Sequence, residues 1–228
     1  MLKEAIEKIL SLAAVEKIEV GGREYFTREL SPVKTPVVSP IKLHTLDGLI
    51  KFAESSQEGA PLVYVVDSPT QVSLCSGLDE KWKTRNVYAM ANCYECNFQF
   101  GNFYDQEDFM IALMAKFDIG GHRDELLKIA SSVRDESEAK FEDNGATQQV
   151  SQKRGAKFEF QPLPNPVLLA PFRTFREIEQ PVSKFVFRYR EGNKFALFDA
   201  EGEAWKYAAI DGIAAYLGEH DPDISVLK

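Results

Sequence analysis

The chain has 228 residues, enough for one large domain or two small ones with a sizeable buried core. Its composition is that of a globular protein, with 44% hydrophobic, 27% charged and 11% aromatic residues, and it contains 16 phenylalanines. The net charge of −8 argues against general binding to nucleic-acid phosphates and leaves only a local basic patch compatible with such binding.

Charged residues interrupt every apolar stretch. None approaches the roughly 18 apolar residues of a membrane-spanning helix, and Lys3 and Glu4 interrupt the N-terminus. Neither a membrane span nor a signal peptide is therefore expected. Three cysteines, an odd count, fit a reducing compartment better than a disulfide framework. The sequence predicts an intracellular protein without membrane segments.

The first part of the chain mixes predicted helices and strands. Apolar residues three and four positions apart predict helices, and continuous or alternating apolar runs predict strands. Thr45 is a suitable N-terminal cap for the second helix. The predicted elements are, in order, helix 2–13, hairpin 18–26, helix 46–52, strands 62–66, 72–74 and 87–91, and helices 105–117 and 123–141.

From Ala146 the pattern changes to extended pieces, followed by a last helix that Gly218 is expected to end. The class is α+β: a mixed N-terminal α/β part followed by a strand-rich antiparallel part closed by a C-terminal helix. A single domain over 1–228 is expected, with an alternative boundary near Asn144. The predicted elements of this second part are strands 148–152, 157–160, 167–170, 185–189 and 195–198 and helix 204–217.

The most distinctive stretch is 162–198, and five of the eleven prolines of the chain lie between Pro162 and Pro181. Proline cannot continue a helix, so the pieces between the prolines are expected to be extended. Period-two alternation then places Arg173 with Phe175 on one face and Phe172 with Arg176 on the other. Each face combines an aromatic ring with a guanidinium, which suits an anionic or planar ligand.

Other interpretations of these residues remain open. Both arginines can instead lie at the rim, paired with Glu177 and Glu179, and arginine at a partly buried strand end is common. Asp67 and Ser68 follow a predicted buried strand, where ligands often bind, but a capped turn explains them equally well. The candidate ligand-binding residues are Phe172, Arg173, Phe175, Arg176, Asp67, Ser68 and His44.

Cysteine and histidine patterns give no strong metal or catalytic signature. Cys93 and Cys96 form a C-x-x-C motif, but a zinc site needs four ligands and no second such pair exists, so two unliganded thiols are favoured. His44 can act as a general base, yet nothing nearby identifies a nucleophile. The glycine-rich phosphate loops and the nucleophile elbow are missing from the sequence. No catalytic residue, metal or cofactor is predicted, and enzymatic activity is the less favoured alternative.

Four segments carry a family resemblance: TLDGLIKF (45–52), VVDSPTQVSL (65–74), FGNFYDQEDFMIALMAKF (100–117) and APFRTFREIEQPVSKFVFR (170–188). In these segments the chain resembles the YfdQ-like family of phage and prophage proteins of unknown function. The resemblance implies a phage accessory protein made early in infection in the host cytoplasm. It implies no catalytic residue.

The favoured hypothesis combines this context with the missing catalytic motifs. It is a non-catalytic, homo-oligomeric binder that sequesters a small anionic ligand, such as a nucleotide immune signal, to counter host defence. One alternative is a nucleotide-degrading enzyme resembling a phosphodiesterase. Another is a partner-binding accessory of phage replication or recombination, because an acidic chain suits protein contacts better than nucleic acid.

Overall fold

A computed structural model describes most of the chain. The described residues are 2–13, 17–20, 23–26, 39–55, 61–79, 83–94, 97–133, 140–143, 147–154, 157–190 and 192–228. The fold divides into two compact units, Met1–Val37 and Val38–Lys228. The alternative boundary near Asn144 lies outside the described residues.

The first unit contains a helix and a two-stranded hairpin: α1 (Leu2–Ala13), β1 (Lys17–Val20) and β2 (Arg23–Phe26). The strands are antiparallel, with Ile18 opposite Tyr25. This confirms the predicted helix and the pairing of the hairpin, whereas its two turn glycines lie outside the described residues.

The second unit contains the remaining elements. They are β3 (Ile41–Leu43), α2 (Leu46–Ser55), β4 (Leu62–Ser68), β5 (Gln71–Ser76), β6 (Val87–Asn92), β7 (Tyr104–Asp105), α3 (Gln106–Lys116), α4 (Arg123–Ser132), β8 (Lys140–Asp143), β9 (Thr147–Arg154), β10 (Lys157–Pro164), β11 (Val167–Leu169), β12 (Ser183–Arg190), β13 (Lys194–Asp199), α5 (Ala204–His220) and β14 (Ser225–Leu227).

A mixed five-stranded sheet has the order β14-β4-β5-β6-β3. β14 is parallel to β4 and β3 is parallel to β6, while β5 is antiparallel to both of its neighbours. All strands except β5 therefore point the same way, and their carboxyl ends share one edge. Helices α2 and α5 contribute to the buried cluster on this sheet, in which Tyr64, Leu74 and Ile213 are fully buried.

A second sheet is antiparallel, with the order β11-β12-β13-β7. Its inner face packs against α3 and α4 through a cluster rich in phenylalanine, including Phe109, Phe187 and Phe195. Buried and partly exposed residues alternate along β12, as expected of a sheet with one buried face. Strands β8, β9 and β10 form a third, antiparallel sheet of their own. The α+β class is confirmed.

The ends of two helices and one additional strand differ from the predictions. The predicted helix 123–141 is wrong in its second half, because α4 ends at Ser132 and residues 140–143 form β8. Gly218 does not end α5, which continues to His220, where the amide of Asp221 donates to the carbonyl oxygen of Leu217. A further strand, β14, follows this helix and extends the five-stranded sheet.

The predicted extended conformation of the 172–178 segment is also wrong. A bridge between Pro171 and Phe117 is followed by irregular chain with a turn at 176–177. The buried side chain of Gln180 accepts a hydrogen bond from the amide of Arg173 at 3.1 Å and donates to the carbonyl oxygens of Phe175 (2.8 Å) and Ile178 (3.2 Å). Backbone groups that a strand would pair with a neighbour are therefore satisfied within the segment itself.

Candidate functional site

The carboxyl edge of the five-stranded sheet gathers several of the predicted residues. β4 ends at Ser68, β6 ends at Asn92 and β3 is followed directly by His44. The amide of Cys93 donates to the carbonyl oxygen of Thr70 at 3.0 Å, and the ring of His44 donates through Nδ1 to the carbonyl oxygen of Asn92 at 2.9 Å. Loops from three strands thus form one continuous edge, where open sheets commonly bind ligands.

The 172–178 segment is attached to this edge at two points. Thr174 Oγ1 donates to the carbonyl oxygen of Pro69 at 2.6 Å. Glu177 Oε1 accepts from the amide of Leu46 at 2.7 Å, at the first turn of α2. A carboxylate is favourable there, because unpaired amides and the helix dipole make a helix N-terminus positive. The structure therefore brings the 172–178 segment to the edge that also carries Ser68 and His44.

Arg176 and Phe172 form a cation–π pair within the segment. The guanidinium carbon of Arg176 lies 3.4 Å from the centroid of the Phe172 ring. Arg176 is exposed and Phe172 is half-buried. A guanidinium held over a ring at this distance is attracted to the face of the ring and keeps several N–H donors available to a ligand.

Arg173 and Phe175 face the interior instead. Arg173 is 9% exposed, its Nη2 donates to Ser183 Oγ at 2.7 Å, and its guanidinium carbon lies 4.2 Å from the Trp205 ring centroid. Asp199 Oδ2 lies 3.9 Å from Nη1 of the same side chain. Phe175 is fully buried in the core of the five-stranded sheet. The buried side chains of Arg173 and Phe175 therefore anchor the 172–178 segment to the protein interior.

Asp67 and Ser68 make local contacts at the turn between β4 and β5. Asp67 Oδ2 accepts from Ser73 Oγ at 2.5 Å and from Gln71 Nε2 at 3.3 Å. Ser68 Oγ accepts from the amide of Thr70 at 3.2 Å, as in a capped turn. These bonds stabilise the turn. The Ser68 hydroxyl is half-buried, and two residues later the carbonyl oxygen of Thr70 accepts the hydrogen bond from Cys93, the residue that follows β6.

His44 stacks on Tyr94, with 4.3 Å between ring centroids and 23° between ring planes. Tyr94 is 74% exposed and therefore presents an aromatic face to solvent. No sequence pattern indicates Tyr94, because its position next to His44 depends on the parallel pairing of β3 with β6. Gln180 was likewise missed, since a glutamine buried in a proline-rich loop has no sequence signature.

Two tyrosines near the C-terminal helix donate to carboxylates. Tyr216 donates to Asp47 Oδ1 at 2.6 Å, and this hydrogen bond, aided by burial, raises the pKa of Tyr216 to about 12. Tyr64 donates to Asp221 Oδ2 at 2.8 Å, and burial together with this bond raises the pKa of Tyr64. In both pairs the neutral phenol is favoured, since ionisation would place two negative charges together.

A groove of about 620 Å³ runs between α5 and residues 177–182. Small residues of α5, such as Ala208 and Gly212, form one wall, and Glu177, Glu179 and Glu219 are among the lining residues. An added Cβ at Gly212 would lie 3.3 Å from Ile178 Cδ1, so the helix approaches this loop closely. Three carboxylates in the lining make the groove a poor site for an anion.

In the described part of the chain, no helix has both the length and the apolar character needed to cross a membrane. Within the same residues, no three histidine, cysteine or acidic side chains are grouped closely enough to hold a metal ion. Cys93 of the C-x-x-C motif is half-buried, and Cys96 lies outside the described residues.

Comparisons with protein-family models, with curated proteins and with solved structures each found no match. The resemblance to the YfdQ-like family therefore stays a prediction.

Proposed function

We propose that this chain is a non-catalytic binding protein that captures a small anionic ligand with a planar group, such as a nucleotide, at the carboxyl edge of the five-stranded sheet. The cation–π pair of the exposed Arg176 and the half-buried Phe172 carries the proposal. A guanidinium in this position can stack against a base or donate two parallel hydrogen bonds to a phosphate.

The neighbouring groups support a ligand of this chemistry. Tyr94 offers an exposed aromatic face beside His44. Glu177, next in sequence to Arg176, accepts from the amide of Leu46 at the start of α2, and the positive end of the helix offsets part of its charge. The edge is open, so a ligand bound there would keep part of its surface in water.

The wider biological role that we propose rests on the sequence resemblance. In that setting the protein is a phage accessory protein in the host cytoplasm, and capture of a nucleotide signal would counter host defence. We also propose a homo-oligomer, since a second copy would enclose a ligand that an open edge leaves exposed. The apolar residues Ile111 and Met114 are 52% and 54% exposed on α3 and offer contact area for such an assembly.

The test is isothermal titration calorimetry, in which nucleotides are titrated into the purified protein and the dissociation constant is measured. Replacing Arg176 by glutamine removes charge-assisted hydrogen bonds worth about 1.5–3 kcal/mol, so we expect binding to weaken about ten- to hundredfold. Lys128→Gln, which removes one exposed positive charge on α4, is the matched control and should bind as the parent does. Arg173→Ala is unsuitable, because Arg173 is buried and its loss would disturb the fold.

Equal affinity of the parent and Arg176→Gln for every nucleotide tested would contradict the proposed site. Recovery of the nucleotide after incubation distinguishes capture from turnover. Intact nucleotide supports a binder, and hydrolysed nucleotide would favour the enzyme alternative.

A further inference from the structure

The outer face of the four-stranded sheet has a composition unusual for a solvent-facing sheet surface. Alternation along β12 places Phe185, Phe187 and Tyr189 against the helices, so Val186, Arg188 and Arg190 lie on the opposite face. The same rule places Phe198 of β13 there, across from Val186. Solvent-facing positions of an antiparallel sheet are usually polar, whereas this face combines arginines with aromatic and aliphatic side chains.

Phe103, from the loop before β7, covers part of this face. Its ring lies edge-on to Phe198, with 6.2 Å between centroids, and the guanidinium carbon of Arg190 lies 3.9 Å from its centroid. These residues line a depression of about 400 Å³ together with Val186, Arg188 and Tyr189. The depression has two cations and two phenylalanine rings at its surface.

The two arginines are two residues apart on one strand. At about 3.4 Å per residue their backbone positions are roughly 7 Å apart, so the two guanidinium groups can contact different phosphates. Arg188 Nη1 also donates to the carbonyl oxygen of Phe187 at 3.1 Å, which holds that side chain against the strand. The lysines at the margins, Lys184 and Lys194, lie within ion-pair distance of Glu201 and Asp105.

We propose that this face binds single-stranded nucleic acid, an activity separate from ligand capture at the carboxyl edge. A base would stack on the exposed side of the Arg190 guanidinium, extending its stack with Phe103, and a second base would contact Phe198. Arg188 and Arg190 would contact the phosphates.

The open shape of the depression and its local positive charge favour single-stranded nucleic acid over a duplex. A shallow depression bordered by two phenylalanine rings in edge-on contact offers aromatic surface to unpaired bases, whereas the bases of a duplex are stacked on one another and present only their edges. The positive charge of Arg188 and Arg190 complements phosphates, while the net charge of −8 repels nucleic acid from the rest of the protein. Binding is therefore confined to few phosphates and depends only weakly on salt.

The experiment measures fluorescence anisotropy of a labelled oligothymidylate of about 12 nucleotides, a length within the range that single-strand sites cover. Affinity is determined between about 50 and 200 mM salt. Two phosphate contacts predict a slope of log affinity against log salt near −1.4, since each contact contributes about −0.7 for single strands. Arg190→Gln removes one of the two contacts, so the slope should become shallower, at about −0.7. Lys128→Gln should leave the slope unchanged.

The aromatic contribution is tested separately. Phe198→Ala should weaken binding about 5- to 150-fold with an unchanged salt slope, since stacking is worth about 1–3 kcal/mol per base. Phe198→Leu keeps an apolar side chain but removes the flat ring. This variant should bind the oligonucleotide more weakly than the parent and have the same free energy of unfolding. This second variant separates a stacking role from a structural one.

Four results would overturn the proposal. Three of them are no binding of the oligonucleotide at the lowest salt, a salt slope that Arg190→Gln does not change, and duplex DNA that binds as tightly as the single strand. Loss of oligonucleotide binding in Arg176→Gln to the same extent as in Arg190→Gln would place binding at the carboxyl edge and would also overturn it.

Discussion

Replacing Gly48 by alanine tests how the start of α2 is built. Thr45 Oγ1 accepts a hydrogen bond from the amide of Gly48 at 3.1 Å and so caps the helix. A Cβ added at Gly48 would lie 2.7 Å from that oxygen, so the threonine side chain would have to move and lose its bond. Alanine normally stabilises a helix by about 0.5–1 kcal/mol relative to glycine, and loss of a cap costs about 1 kcal/mol.

The two effects nearly cancel in the parent chain, so Gly48→Ala should change the free energy of unfolding by less than about 0.5 kcal/mol. In a Thr45→Ala background no cap remains to be lost. The same substitution should then stabilise by about 0.5–1 kcal/mol, or roughly 1–4 °C in melting temperature for a chain of this size.

Urea unfolding of the parent, the two single variants and the double variant forms a double-mutant cycle for this pair. We expect a coupling free energy of about 1 kcal/mol. Hydrogen exchange should also show a faster amide at residue 48 in Gly48→Ala than in the parent. Equal stabilisation by Gly48→Ala in both backgrounds would refute the contact between the added methyl group and the cap.

Three further substitutions test the loop and the tyrosines. Gln180→Leu should destabilise by at least about 3 kcal/mol in urea unfolding, because it leaves several backbone groups buried and unpaired, and a loss below about 1 kcal/mol would contradict this. Tyr64→Phe removes the hydrogen bond to Asp221, and a calorimetric melting temperature should fall by roughly 3–12 °C, corresponding to about 1.5–3 kcal/mol. The raised pKa of Tyr216, about 12, contributes stability that is complete below the ordinary tyrosine pKa near 10 and is lost as the pH rises from there toward 12. Tyr216→Phe should therefore flatten the dependence of unfolding free energy on pH over that interval, and an unchanged slope would exclude the pairing with Asp47.

Much of the fold follows from local sequence patterns. The alternation from Phe185 to Tyr189 predicted β12, and Thr45 was predicted to cap α2, which its bond to the Gly48 amide confirms. Both signals are local in the sequence, because the strand shows in apolar residues at every second position and the cap lies three residues before the amide that it binds. The short strand β14 has no such signal, since its three residues are ordered by pairing with β4.

The candidate site was only partly predictable for the same reason. The sequence selected the arginines and aromatics of the 172–178 segment, but it assigned them to alternating faces of a strand. Burial of Arg173 depends on Ser183, Asp199 and Trp205, which lie 10 to 32 positions further along the chain. Partners at this distance are fixed by tertiary structure, and no local pattern distinguishes the buried arginine from the exposed Arg176.

The most direct test of ligand capture is native mass spectrometry of the purified protein mixed with mononucleotides and cyclic dinucleotides. We predict that the parent and Lys128→Gln retain an intact nucleotide in a fixed ratio to chains, and that the apparent dissociation constant of Arg176→Gln, from a series of nucleotide concentrations, is about ten- to hundredfold higher. The same spectra give the number of chains in the complex. Retention of no nucleotide by the parent, or equal retention by Arg176→Gln, would contradict capture at the carboxyl edge.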